Sequence, residues 1–204
     1  TRDIVFKKPE VARSPGTKYN DLRFSDQELK TICKILIKLS EKYPFQAEAL
    51  LFMLCTGRRG EETCKIRKSN INKDRTLITL PASITKARKV EYVDITPPVA
   101  FVLKKLDKHL ADKHQGYRFV DWLFPTTRIN KQRLHEDKYV RSDSCRTKEL
   151  RGCWNAVIKE TEIVGVPKML RKTFSSIAKL TLGTSSKARV LTGHEQDATL
   201  DIHY

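Results

Sequence analysis

Apolar positions along this chain follow two periods. Leu29, Ile32, Cys33, Leu36 and Leu39 recur at three- and four-residue spacing until Pro44, which predicts an amphipathic helix with its lysines in solvent. Its start is written locally: Ser25 and Glu28 have the spacing of a capping box, and Phe24 can staple onto Leu29. Ala47, Leu50, Leu51 and Leu54 predict one apolar face of a second helix that ends at Gly57. Between Ser69 and Ile95 the period shortens to two. Ile78 and Leu80 flank Thr79, and Val93 and Ile95 flank Asp94, so two short antiparallel strands are expected, with residues 84–90 as their turn. Helical spacing returns after Pro97 and Pro98, with Val99, Val102, Leu103, Leu106 and Leu110 on one face. Further helices are expected over 148–162 around Trp154 and Val157, over 168–182 between Pro167 and Gly183, and over 185–192 ending at Gly193. In the second of these, Leu170, Phe174 and Ile177 form the expected buried stripe, and Trp122, Phe124 and Trp154 read as core. The fold class is mainly α with a small antiparallel β-sheet (α+β).

Charge changes the picture. The 204 residues carry 40 Lys+Arg against 24 Asp+Glu, a net charge of +16, which calls for a polyanionic partner, nucleic acid first. At 39% hydrophobic and 31% charged, the chain can build one substantial core. It has no apolar run long enough to span a bilayer and no secretory pattern at its start, so membrane spanning and Sec export fall away. Cys33, Cys55, Cys64, Cys145 and Cys153 form no C-x-x-C pair, which argues against a disulfide framework or a cysteine-rich zinc site and for a reducing, cytoplasmic compartment. Residues 1–22, with Pro9, Pro15 and Gly16, read as an extended linker, and with its start at Thr1 the chain is expected to be a piece of something longer. From Thr126 to Lys148 apolar residues are sparse. Arg128, Lys131, Arg133, Lys138, Arg141, Arg146 and Lys148 stand against Glu136, Asp137 and Asp143, so a mobile or DNA-facing segment is expected.

Three short segments can carry chemistry. In Thr56-Gly57-Arg58-Arg59-Gly60-Glu61-Glu62, a helical backbone would let Glu62 buttress Arg59; alone, that spacing is ordinarily a solvated surface pair. In Pro167-Lys168-Met169-Leu170-Arg171-Lys172-Thr173-Phe174, Lys168 and Arg171 share one side of a helix near its N-terminus, where anions are favoured. Leu191-Thr192-Gly193-His194 puts a histidine after a glycine, and Tyr204 closes the chain. Each is bland in isolation. His109 and His114, five apart, and Glu136-Asp137 are assigned no chemistry.

In order, these segments resemble the catalytic domain of the tyrosine recombinases, also called the phage integrase family, over residues 23–204. The matching pieces are T-G-R-R-G-E-E, I-T-K-A-R-K-V, W-L-F-P at Trp122 to Pro125, K-M-L-R, and L-T-G-H with its downstream tyrosine. The resemblance implies a site-specific DNA recombinase or integrase in which Tyr204 attacks a phosphodiester to give a 3′-phosphotyrosyl intermediate, followed by strand exchange and religation. It implies Arg59 and Arg171 as phosphate-binding cations, His194 as a donor to a non-bridging oxygen, and Glu62 as the residue that orients Arg59. Lys86 on the hairpin turn matches the general acid, with Lys89 as the fallback. Lys168 stands where the family usually has histidine, and is left as either base or electrostatic stabiliser. The interval from His194 to Tyr204 is one residue longer than the commonest pattern. Lys89, Arg88, Arg128, Lys131, Arg133 and Lys172 are expected to contact DNA.

By the same resemblance no metal or ATP is needed, and the partner is double-stranded DNA. The chain would be monomeric or weakly associating alone and tetrameric on paired sites, with accessory DNA-bending proteins and no membrane. Residues 1–22 would tether an N-terminal DNA-binding domain, and 23–204 would be the catalytic domain. Two other readings stay open: a type IB topoisomerase or telomere resolvase with the same chemistry, and a non-catalytic DNA-binding protein on an integrase scaffold.

Overall fold

The computed structural model describes residues 23–112, 115–128, 131–133 and 135–184. The expected linker 1–22, the helix over 185–192, His114, His194 and Tyr204 lie outside the described residues.

Helix α1 (Asp26–Leu39) starts as its capping box dictates: Ser25 Oγ accepts the Glu28 N–H at 3.3 Å, and Glu28 Oε2 accepts the Ser25 N–H at 2.7 Å. Phe24 is buried with its ring centroid 5.9 Å from that of Trp154, and its N–H donates to Thr173 Oγ1 at 3.0 Å. Phe24, the residue ahead of the helix cap, is thus fastened to two distant segments.

Helix α2 (Gln46–Thr56) differs from expectation. Ala47 through Met53 are all buried, while Leu54 is half-buried, so the helix presents no single inner face. The cause is its composition: a helix apolar nearly all round is stable only when surrounded. It packs against α1, α4 (Pro97–Ala111) and α7 (Lys168–Leu182), and short α3 (Gly60–Cys64) follows it. Strands β1 (Leu77–Leu80) and β2 (Glu91–Asp94) pair antiparallel with Leu80 opposite Glu91, and residues 81–90 connect them. Ile95 falls just outside β2.

The described residues of the basic stretch 126–148 are tied to the core near its two ends. Thr126 N–H donates to Cys145 O at 2.8 Å and Thr147 N–H to Phe124 O at 3.0 Å, while Val140, in α5 (Asp137–Val140), and Cys145 are buried. Two buried side chains and this pair of backbone bonds anchor a segment whose low apolar content read as loose. Trp122 Nε1–H donates to Ser142 O at 2.8 Å and the Arg67 guanidinium lies 4.0 Å from the Trp122 ring centroid, so the indole is core with a cationic lid. Trp154, on α6 (Arg151–Thr161), and Phe124 are buried as expected.

Helix α7 has the bounds its flanking Pro167 and Gly183 predict, but not the predicted inner face. Leu170 is buried, Phe174 is half-buried and Ile177 is exposed, whereas Thr173, Ser175 and Ser176 are buried. Phe174 instead packs against Gly57 at the end of α2. At Gly57, where φ is +64°, a Cβ would stand 2.4 Å from Phe174 Cδ1. Only glycine satisfies both the left-handed backbone and that approach. Among the described residues, no helix is long and apolar enough to cross a membrane.

Candidate active site

The close approach of α2 and α7 builds the site. Gly57 ends α2, and its carbonyl accepts the Arg171 Nη1–H at 2.6 Å, so the first turn of α7 is bound to the segment that enters α3. Arg59 is the N-cap of α3 rather than a residue within it. Glu62, three positions on, reaches back: Oε2 accepts the Arg59 N–H at 3.2 Å and Oε1 accepts from Arg59 Nη1 at 3.0 Å. One carboxylate therefore caps the helix and holds the capping residue's own guanidinium. The same Oε1 accepts the Lys86 N–H from the β1–β2 turn at 3.1 Å. Burial pulls the Glu62 carboxyl upward, but the Lys86 amide, the Arg59 charge and the Arg59 amide outweigh it and hold the group below its ordinary 4.5.

Around this junction lies a cavity of about 1050 Å³, lined by Arg59, Glu62, Lys86, Lys168, Arg171 and Lys172. Lys65, Lys148 and Arg151 also line it, giving eight cationic side chains against the carboxylates of Glu61, Glu62 and Glu149. Lys168 to Lys172 form the first turn of α7, where the helix dipole already favours an anion; three cations placed there repel one another and the helix end unless negative charge arrives. Such a cavity is built for a polyanion.

The other expected DNA-contacting residues fall elsewhere. Arg88 and Lys89 are exposed on the β1–β2 turn and do not line the cavity, and Arg128 is exposed on the stretch after Pro125. Lys131 lies in the single turn 131–133. Arg133 makes a two-pronged pair with Glu136, at 2.9 Å on each arm, and lies 4.7 Å from the Tyr139 ring centroid. Lys172, expected to contact DNA, is 5% exposed and is among the residues that line the cavity.

Sequence reasoning missed two buried charge clusters. Arg58 is 1% exposed and pairs with Glu91 on β2; the motif singled out Arg59 for the site but gave its neighbour no partner. His109, assigned no chemistry, lies 3.0 Å from Glu48 Oε1 and 2.8 Å from Ser40 Oγ, all three buried. The signal for that cluster was Glu48 itself, a charge on an otherwise apolar helix.

The architecture is the catalytic-domain fold of the tyrosine recombinases. The chain belongs to the phage integrase family, whose model matches residues 23–204. Among solved structures, the XerH site-specific recombinase bound to palindromic difH substrate aligns with a TM-score of 0.65 at 16% identity, covering 95% of this chain and 52% of that one. The Tn1549 transposon integrase in complex with a circular intermediate DNA gives a TM-score of 0.66 at 12% identity, with 90% and 61% covered. A lambda integrase dimer bound to a COC′ core site gives 0.60 at 13%, with 94% and 62% covered. The chain thus spans between half and two-thirds of these proteins. No curated protein matches it.

Proposed function

We propose that this chain is the catalytic domain of a site-specific DNA recombinase that cleaves by a tyrosine nucleophile. The observation that carries the reading is the gathering of Arg59, Lys86, Lys168 and Arg171 on one cavity from three separate parts of the sequence. Attack on a phosphodiester raises negative charge on the non-bridging oxygens, so catalysis needs fixed cations where that charge develops. Guanidinium offers paired donors that match phosphate oxygens and never loses its proton, which suits Arg59 and Arg171 to this work. Glu62 and the Gly57 carbonyl hold the two guanidiniums in place before DNA arrives.

In the proposed step the Tyr204 oxygen gives its phenolic proton to a water molecule and bonds to phosphorus, and the P–O5′ bond breaks. Lys86 gives a proton to the departing 5′-oxygen. A phenol of ordinary pKa near 10 is about one part in a thousand ionised at pH 7, a handicap of roughly 4 kcal/mol. Lys168 and His194 offset it, His194 by donating to a non-bridging oxygen. Reversal on another strand rejoins the DNA, because the covalent link preserves the bond energy. Double-stranded DNA is the proposed substrate, with four protomers assembled on paired sites.

The test uses the full-length protein and a pool of nicked duplexes with randomised cores. A protein–DNA adduct that survives denaturant, maps to Tyr204 and disappears in Tyr204→Phe is the expected result; sequencing the trapped DNA then yields the site. Retained duplex binding with no adduct from the unaltered protein would leave a DNA-binding module instead.

A further inference from the structure

Arg58 and Arg59 are adjacent, yet they turn in opposite directions. Arg59 lines the cavity; Arg58 points inward and is 1% exposed. Arg58 Nη2 donates to the Tyr92 carbonyl at 3.0 Å, Nη1 is in ion-pair contact with the Glu91 carboxylate, and its N–H donates to Thr56 Oγ1 at 3.3 Å. Glu91 and Tyr92 open β2, directly after the turn that carries Lys86. That turn is therefore fastened to the Arg59 segment at two points: the Lys86 amide on Glu62, and the first residues of β2 on Arg58.

The turn between these points is internally braced. Thr85, buried, donates through Oγ1 to Lys89 O at 2.7 Å and accepts the Lys89 N–H at 3.2 Å, and Arg88 between them has φ +52°. Only Val90 separates the braced unit from Glu91. A shift of Glu91 is thereby transmitted to Lys86. Taking a guanidinium out of water is costly unless its charge and donors are met, and an apolar side chain would fill the same space at lower cost. What the charged pair adds is direction, because it meets one carboxylate and one carbonyl of one strand.

We infer that Arg58 and Glu91 are positioning residues for strand cleavage: together they anchor the β1–β2 turn so that Lys86 Nζ stands beside the leaving 5′-oxygen. The inference rests on the proposed role of Lys86 as general acid. Neither Arg58 nor Glu91 touches the reacting atoms. In the step they serve, the Tyr204 oxygen loses its proton to water and bonds to phosphorus, the P–O5′ bond breaks, and a proton moves from Lys86 to the departing 5′-oxygen.

A leaving group that needs no proton separates this role from a merely structural one. The full-length protein is assayed on the duplex recovered by Tyr204 trapping, once with a normal scissile phosphate and once with sulfur replacing its bridging 5′-oxygen. Lys86→Ala is expected to lose about 10²-fold or more in cleavage on the oxygen duplex and to recover on the sulfur duplex. Glu91→Gln, which keeps the side chain's shape, should lose about 10- to 10²-fold on oxygen and recover in the same way. Arg58→Met should repeat that pattern, and Arg58→Lys should restore part of the loss. If Arg58→Met fails to fold, Glu91→Gln decides alone. A Glu91→Gln defect equal on both duplexes while Lys86→Ala recovers, or no defect at all, overturns the positioning role and leaves Lys86 as the acid. A Lys86→Ala defect equal on both duplexes removes the acid itself, and the positioning role with it.

Discussion

Two helices of this molecule begin in the same way and end up with different tasks. At the start of α2, Glu48 Oε2 accepts the Phe45 N–H at 2.9 Å, three residues back, and Oε1 meets Ser40 and His109. At the start of α3, Glu62 accepts the Arg59 N–H, also three residues back, and holds a basic side chain with its other oxygen. Both carboxylates cap a helix and both have a basic partner. Around Glu48 the fold closes completely, with Glu48 0% and His109 7% exposed. Beside Glu62, the Arg59 side chain keeps 32% of its surface open and lines the cavity. A capping carboxylate with a basic partner is therefore a rivet where the partner is enclosed, and a rigid mount for a ligand-binding cation where one side of the partner is left open. Residue type does not separate the two cases; surroundings do.

The largest effect expected at the open end is on chemistry. Arg59→Lys should cut adduct formation about 10²- to 10³-fold, because the planar fork is lost, while thermal unfolding stays within about 1 kcal/mol of the parent. At the closed end the balance inverts. Glu48→Ala should lower unfolding free energy by about 3 kcal/mol, the cost of leaving His109 and Ser40 buried without their acceptor, and adduct yield per folded molecule should be unchanged. A Glu48→Ala protein that folds normally but cannot cleave would erase the distinction.

Smaller effects sharpen the boundary. Gly57→Ala strains a left-handed backbone by about 1–2 kcal/mol and drives a methyl group against Phe174, so denaturant unfolding should shift. Because Gly57 O also holds Arg171, cleavage by the folded fraction should fall too. Glu62 gives the mildest signature, a pH dependence. Its folded-state value is depressed, so its stabilisation is complete above the ordinary value of 4.5 and drains away as pH falls through the folded value. Glu62→Gln should flatten the acid limb of stability below about pH 4.5 and leave the neutral limb nearly level, as read by urea unfolding from pH 2 to 7. An unchanged acid limb would mean that Glu62 is not held as the geometry requires.

Much of the fold was legible because it is decided within a few residues. The Ser25–Glu28 box, the Pro167 and Gly183 boundaries of α7, and the alternation in both strands all arise between near neighbours. Motif order also named Arg59, Lys86, Lys168 and Arg171, which line one cavity; His194 and Tyr204, named with them, lie outside the described residues. The misreadings share a cause. The inner face of α7 was expected from Leu170, Phe174 and Ile177, but Thr173, Ser175 and Ser176 are buried, Thr173 holding the Phe24 N–H, while Ile177 is left outside. Periodicity reports hydrophobicity; it does not report how near a neighbouring helix comes.

By itself, then, the order of amino acids determined the longer helices and the two strands, the excess of positive charge, the family and the residue types that can hold a phosphate, since each depends on composition or on contacts a few positions apart. Tertiary structure alone decided that Arg58 turns inward onto Glu91 and Tyr92, that Glu48 finds its partner 61 residues away in His109, and that Arg171 is held by Gly57 across 114 residues. Those choices turn on burial and direction. A side chain acquires both only when elements distant in the chain are packed against each other.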